Sequence, residues 1–445
     1  MKIHYIKSAC VVIESKGVKI LCDPWLVDGE YYGSWCHYPP LELNEEYFAD
    51  IDFIYVSHIH PDHFSTKTLK LLPKEIPVLI HTYTTTFLKA NIERLGFKAI
   101  ELPHNERVSL KNGVGIKILA ADNCNPELCA KFMGCGFIET KFKFTQIDSL
   151  ALIDDENYTV LNLNDCPYDL AHVAVNEVLK KHKQIDFLLV GYGGAGPYPQ
   201  CFDLEENERI IAENKKKKQF LQQGINYIKQ VKPKYYMPFA GTYTLAGKLA
   251  SLQHKRGVPE TEEAIEYFNK SEQINQDQSQ GILLNTYDYF DLECGKSSNP
   301  YIPVDLKAKE EYINDVLAHK KLDYELEEIP KMDELVDLLP AAFERMNKKR
   351  EEINFSSATN VYITLEGDSF AKIPMNGQPM QLVDRIPENE CYVSYSLDPR
   401  LLYKILKGPK FAHWNNAVIG SHVNLKRVPN NYERALYYSM NFFHG

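Results

Sequence analysis

Along residues 1–60, short apolar runs alternate with turns: Ala9–Glu14, Val18–Cys22 and Phe53–Ser57 are each bounded by Gly, Pro, Asp or Ser, which predicts strands. Leu69–Leu72, Thr86–Leu95 and Val173–Lys181 instead repeat their apolar positions at helical spacing and carry charged outer faces. Between them lie further strand candidates at Pro77–Ile80, Ile116–Ala120, Ser149–Ile153 and Thr159–Asn162. Strands interleaved with helices over residues 1–298 predict a layered α/β domain.

Beyond these, Lys215–Lys218 opens an amphipathic helix through Gln230, and the lysines read as its solvated face. Glu260–Gln280 is polar and reads as a surface helix and loop. The turn-rich stretch Cys294-Gly295-Lys296-Ser297-Ser298-Asn299-Pro300 marks a boundary, dividing the chain into 1–298 and 299–445. The second part begins with charged helices, Lys307–His319 and Met332–Lys348, and continues as a small α+β unit with strands near Val361–Leu365 and Cys391–Ser396. No internal repeat is present.

A chain of 445 residues accommodates two domains and a sizeable core, and 44% hydrophobic with 25% charged residues is ordinary for a globular protein. The net charge of −10 argues against broad nucleic-acid binding, which needs many cations, so an anionic substrate must meet a local positive site. No apolar run reaches the roughly 18 residues of a membrane helix, and Met1-Lys2-Ile3-His4-Tyr5 does not open a signal peptide. A cytoplasmic protein without membrane partners is expected. The ten cysteines form no CxxC pair, which suggests reduced, buried thiols; Cys124, Cys129 and Cys135 read as loop packing or as neighbours of a site.

The chemistry concentrates in His58-Ile59-His60-Pro61-Asp62-His63, directly after the buried run Asp52–Ser57. Three imidazoles and a carboxylate within six residues do not all pack in a core, because each needs polar partners; together they suit zinc, iron or manganese. Strand ends are where α/β sheets place their sites. The glycines of Gly191-Tyr192-Gly193-Gly194-Ala195-Gly196 allow backbone N–H groups to approach phosphate or carboxylate oxygens, or simply make a tight turn. Gly193, Gly194, Tyr192 and Tyr243, with Tyr198, are the substrate-binding candidates. His413, His422 and His444 read as satisfied surface or core histidines.

The HxHxDH pattern after a strand resembles the signature of the metallo-β-lactamase superfamily. That resemblance implies a four-layer αβ/βα sandwich with two divalent metal ions at one edge, His58 and His60 on one, Asp62 and His63 on the other. It also implies a bridging acidic residue at a later strand end, for which Asp165 in Leu161-Asn162-Leu163-Asn164-Asp165 fits; Asp62 and Asp165 are the expected catalytic residues. Asp23-Pro24-Trp25 resembles the strand end beneath the metals. Where members present another histidine the chain reads Ala121-Asp122-Asn123-Cys124-Asn125, so Asp122, Asn125 or His104 stands in; Asp148 is a further ligand or ligand support. The closing histidine is replaced by Met237-Pro238-Phe239-Ala240-Gly241-Thr242-Tyr243, leaving Tyr243, water or a carboxylate to complete the second metal. Fewer imidazoles shift preference from zinc toward iron or manganese.

Met237–Gly241, Phe187–Pro199, Asn164-Asp165-Cys166 and Trp414–Gly420 with Arg427 and Pro429 resemble the CMP-N-acetylneuraminate hydroxylases. The CxH and CxxH pairs of that family's Rieske domain do not occur in these residues. Val361–Leu365, Gly367-Asp368, Asp384 and Asp398–Gly408 loosely resemble a sterol-carrier-like domain, expected to pack on the catalytic part or build a homodimer. The leading expectation is a hydrolase whose paired metals activate water against a nucleotide sugar, phosphoester or lactone. The alternatives are an iron-dependent oxygenase of a nucleotide-activated sugar, supplied by an electron-donor protein, and a non-catalytic binding protein with a degenerate site.

Overall fold

The computed structural model describes residues 1–83, 86–121 and 148–445. Its first part is built on two mixed sheets. The eight-stranded sheet runs in the order Lys296–Ser297, Tyr289–Asp291, Lys2–Lys7, Cys10–Ser15, Val18–Cys22, Phe53–Tyr55, Val78–His81 and Ala99–Leu102. The seven-stranded sheet runs Gln280–Gly281, Tyr235–Phe239, Phe187–Gly191, Thr159–Asn162, Ser149–Asp154, Gly115–Ala120 and Arg107–Ser109.

Side-chain alternation explains why these runs are apolar on both faces. Val11 and Ile13 point between the sheets, where with Ile3, Ile20 and Leu79 they meet Ile116, Ile118 and Ile153. Cys10 and Val12 point the other way, under Leu69, Leu88 and Ile92 of helices Thr66–Leu71 and Phe87–Arg94. Helices Tyr168–Lys181, Glu206–Val231 and Thr261–Asn269 cover the second sheet through Val175, Ile225 and Phe268. Each fully buried Ile or Leu of these layers stabilises the fold by about 2 kcal/mol. This is the four-layer αβ/βα sandwich of the metallo-β-lactamase fold.

Two expectations need correction. The helix carrying Lys215–Lys218 begins nine residues earlier, at Glu206, because Glu206-Asn207-Glu208-Arg209 favours its amino-terminal turn. Nor is the lysine run wholly a solvated face: the helix lies flat on the sheet, so Lys216 is buried beside Ala212 while its neighbours reach outward, Lys217 pairing with Glu263.

Cys294–Pro300 proves to be the tight turn and second strand of a hairpin, with Gly295 at φ 66°. Beyond it, helix Leu306–Asp315 still packs its Ile313 on Cys36, Ala246 and Ala250 of the sandwich. The α+β unit follows: a five-stranded sheet ordered Gln381–Val383, Ser369–Pro374, Asn360–Glu366, Tyr392–Leu397 and Val423–Val428, with helices Met332–Glu352, Pro399–Leu406, Trp414–Ile419 and Arg434–Met440. Its core is continuous with Trp25, Tyr31, Trp35 and Tyr243 of the sandwich, so the unit packs on the sandwich. No helix among the described residues is long and apolar enough to cross a membrane.

Candidate metal centre

Within the sandwich the strands Val18–Cys22, Phe53–Tyr55 and Val78–His81 run parallel, as do Thr159–Asn162, Phe187–Gly191 and Tyr235–Phe239. Their carboxyl ends therefore lie together, and the loops leaving them carry Asp23, His58–His63, Asp165 and the glycine-rich segment. Asn164, at φ 48°, takes the left-handed conformation that Asn tolerates and turns the chain into Asp165.

Donor atoms of His58, His60 and Asp165 lie within 4.8 Å of one another, and so do those of Asp62, His63 and Asp165. Asp165 thus belongs to both groups, the position of a bridging carboxylate. Nε2 of His58 is 2.9 Å from Nδ1 of His60 and 3.7 Å from Oδ1 of Asp148. Nε2 of His63 is 3.3 Å from Asp165 and 3.4 Å from Asp62. His60, Asp62 and Asp165 line a cleft of about 280 Å³ that also includes Asp148, Asn164, Gly193, Gly194 and Phe220, with His58 and His63 behind it. Two adjacent nitrogen–oxygen groups sharing one carboxylate fit a pair of divalent ions by donor chemistry.

The electrostatics fit as well. Burial disfavours a charged His58, and the neighbouring imidazoles His63 and His60 add to this, holding its pKa well below the usual value and its ring neutral, as a ligand requires. Burial also opposes a charged His63, but the carboxylates of Asp165, Asp62 and Asp23 outweigh it and raise its pKa. Burial would raise Asp62, yet His63, His60 and the Tyr31 hydroxyl hold its carboxyl low. The cluster is thus arranged around concentrated negative charge that cations would balance.

A buried polar layer fixes these groups from behind. Asp23 accepts hydrogen bonds from Ser57 N at 2.7 Å, Ser57 Oγ at 2.6 Å and His63 Nδ1 at 2.8 Å. Tyr31 donates its hydroxyl to Asp62 Oδ1 at 2.5 Å. Ser149 Oγ donates to Ser57 O at 2.8 Å and lies 2.9 Å from the Tyr55 hydroxyl, tying the two sheets together beneath the site. Asn415 Nδ2, from the C-terminal unit, lies 3.3 Å from His60 Nε2. Of these, Asp23 stood in the Asp-Pro-Trp strand end and Asn415 in the Trp414–Gly420 segment, whose role the sequence left open; Tyr31 carried no local signal, and the contacts of Tyr31 and Asn415 span 31 and 355 residues. Trp25 is wholly buried against Trp35 and His37, donating Nε1 to Val27 O at 2.8 Å.

Other expected residues are placed elsewhere. His104 turns to His81, Nδ1 to Nε2 3.0 Å, and does not join the cluster. Tyr192 is wholly buried with its hydroxyl 2.7 Å from Thr261 Oγ1, so it points under the glycine-rich loop rather than into the cleft. Tyr243 is also withdrawn, its ring stacked on Trp35 at 3.5 Å; Trp35 in turn packs on Tyr31 at 4.4 Å. It therefore backs the Tyr31–Asp62 pair instead of completing a metal. Asp122, Asn125, Cys124, Cys129 and Cys135 lie outside the described residues.

Comparison with known proteins agrees with the fold. Residues 2–124 match the beta-lactamase superfamily domain. A Rieske 2Fe-2S iron-sulfur protein of Mycolicibacterium smegmatis is 29% identical over 249 residues, which cover 54% of this chain and 43% of that protein. The cytidine monophosphate-N-acetylneuraminic acid hydroxylase of Danio rerio is 26% identical over 252 residues, 54% of this chain and 38% of the hydroxylase. The chain thus spans less than half the length of these curated relatives. Among solved structures, isothiocyanate hydrolase from Delia radicum gut bacteria covers 65% of this chain and 99% of its own, with a TM-score of 0.45 and 13% identity.

Proposed function

We propose that this protein is a dinuclear iron enzyme that hydroxylates a small anionic substrate in the cytoplasm, drawing electrons from an iron–sulfur donor protein. The observation that carries this reading is the carboxylate-rich donor set: Asp62, Asp148 and Asp165 surround three imidazoles, and His58, His60 and Asp165 form a two-histidine, one-carboxylate group of the kind that suits oxygen-activating iron. The similarity to a hydroxylase and to iron–sulfur proteins supports it. Most of the described cysteines are buried in the fold, Cys10, Cys22, Cys36 and Cys201 among them, in keeping with a reducing compartment.

His58, His60 and Asp165 would hold one ion, and Asp62 and His63 the other with Asp165 shared; Asp148 is placed to assist the first. Iron held there would supply oxygen activation for a balanced hydroxylation, in which the substrate C–H and O2, with two electrons from the donor protein and two protons from solvent, give the C–OH product and water. The chain's residues orient and enclose. Asp23 and Ser57 hold His63, Tyr31 holds Asp62, and Gly193 and Gly194 let the cleft wall come close to a bound anion.

A second reading, hydrolysis by a metal-bound hydroxide, rests on the shared Asp165 carboxylate, since a bridged pair of ions also lowers the pKa of water. Elemental analysis and absorption spectra of protein purified without added metal separate the two. Iron with a band that bleaches on reduction, and oxygen uptake with a reductant, support hydroxylation. Close to two zinc or manganese ions, no chromophore, and turnover of phosphodiesters or lactones would replace it with hydrolysis. His60→Ala and Asp165→Ala should lose metal and activity while keeping the fold, because both sit on loops at the sheet edge; normal metal content in either would overturn the site.

A further inference from the structure

Where the glycine-rich loop continues into Pro197–Phe202, it docks on the last strand of the C-terminal sheet: Leu425 N donates to Cys201 O at 2.7 Å and Asp203 N to Leu425 O at 2.8 Å. Above this junction lies a chamber of about 510 Å³, well within the range of small-molecule sites. Its walls are Tyr198 and Phe202 from the sandwich and Trp414, Tyr432, Tyr437 and Arg427 from the C-terminal unit.

Arg427 is the anomaly. In the strand Val423–Val428, Val423 and Leu425 face the core while Asn424 and Lys426 face solvent, so alternation puts Arg427 on the apolar side. Its guanidinium carbon lies 4.5 Å from the ring centroid of Phe202, 5.5 Å from Tyr198 and 5.9 Å from Tyr432. Its Nε is buried and has no hydrogen-bond partner, while the Tyr437 hydroxyl on the same wall lies against the guanidinium. A half-buried cation held among aromatic faces with a donor unused is a costly arrangement that an anion would complete, by the fork geometry guanidinium offers to carboxylate and phosphate. The surrounding rings offer flat faces for stacking.

The chamber adjoins the metal cleft. Asn415 lines the chamber and contacts His60, Pro197 follows the cleft residue Gly196, and Val418 precedes the cleft residue Ile419.

We propose that this chamber binds a planar aromatic ring carrying an anionic group, a carboxylate or a phosphate, with Arg427 as counter-charge. It holds the part of the substrate remote from the reacting centre, an inference that rests on the metal-centre reading above. The C-terminal unit is then a specificity element, and Asn415 stands between recognition and chemistry.

Isothermal titration of the full chain with a nucleoside 5′-monophosphate, phenylacetate, the neutral nucleoside and inorganic phosphate tests this. A ring-bearing anion is expected to bind at least about tenfold more tightly than either the neutral nucleoside or phosphate alone, and Arg427→Gln to weaken it about tenfold or more, the effect of losing a charge-assisted contact. Which of the two ring-bearing anions binds identifies the carboxylate or the phosphate as the natural group. If Arg427→Gln does not fold, Tyr432→Ala decides: Tyr432 is 59% exposed, so its removal spares the fold and strips one wall. No binding of either ring-bearing anion, phosphate binding as tightly alone, or unchanged binding in the folded variant would overturn the proposal. Metal content is measured in the same preparations. Failed binding with metal intact rejects the chamber alone; absent metal with ring-anion binding intact rejects the metal-centre reading alone.

Discussion

Asp23 accepts the Nδ1 hydrogen of His63 across 2.8 Å with both side chains buried. The bond fixes the imidazole tautomer and turns Nε2 toward Asp62 and Asp165. Asp23 is itself held by the backbone and hydroxyl of Ser57, one residue before His58. A single carboxylate thus sets the direction of the strand end on one side and of the His63 ring on the other.

Asp23→Asn should therefore lower metal affinity about 10- to 100-fold, the usual consequence of losing the partner behind a metal-binding histidine. Equilibrium dialysis against a graded chelator reads it. Affinity equal to that of the unaltered protein would show that Asp23 serves packing alone.

Tyr31→Phe isolates a different support. The Tyr31 hydroxyl donates to Asp62 within a wholly protein-enclosed contact, and the residue sits at φ 49°, in the sparsely used left-handed region. Removing the hydroxyl keeps the ring packing on Trp35 and frees Asp62 to rotate. A loss of about tenfold in affinity for one of two bound metals, with the other unchanged, is expected from a hydrogen bond to a charged group. Equal weakening of both metals would instead place Tyr31 in support of the whole cluster.

The layered fold and the His58–His63 cluster were legible because both are local: period-two apolar runs define strands, and the cluster is six consecutive residues. Asp165 and Asp148 were also recognisable as acidic residues at strand ends. Tyr31 was not, and Asn415 and Arg427 were marked only as part of a resemblance, with no sign of what they touch, since each acts through contacts made only after distant strands assemble. Tyr192 and Tyr243 illustrate the reverse failure. Their position beside glycine-rich or strand-end motifs suggested a pocket, but the side chains turn inward to Thr261 and Trp35, where aromatic burial is more favourable than exposure in the cleft.

Lys216 provides a pH test away from the metals. Burial lowers its pKa to about 7, the Arg256 charge adding to the effect, while its ammonium reaches Tyr198 O at 2.9 Å. The unfolded chain keeps this lysine protonated to about pH 10.4. Between those values the unfolded state binds more protons, so the Lys216 contribution to stability improves as pH rises and its burial cost is fully present below about 7. Lys216→Met should be more stable than the unaltered protein by roughly 2 kcal/mol or more near pH 6, with the gap closing toward pH 10. Urea unfolding across that range measures it. A pH-independent gap would mean that the lysine stays charged in the fold.

At Gly194 the cleft wall meets the long helix Glu206–Val231: a Cβ there would lie 1.8 Å from the Phe220 ring. No rotation of the methyl relieves so short a contact, so Gly194→Ala must displace the ring, and Phe220 itself lines the cleft. Overpacking of this kind costs about 1–3 kcal/mol. The displaced ring would also narrow the space beside Asp165, so substrate KM should rise while metal content holds. Phe220→Leu removes the ring edge, and the double variant should recover most of the stability lost by Gly194→Ala alone. A non-additive recovery of at least about 1 kcal/mol in that cycle is the expected sign of direct contact. Simple additivity would show that the glycine is required for its backbone conformation and not for the approach of Phe220.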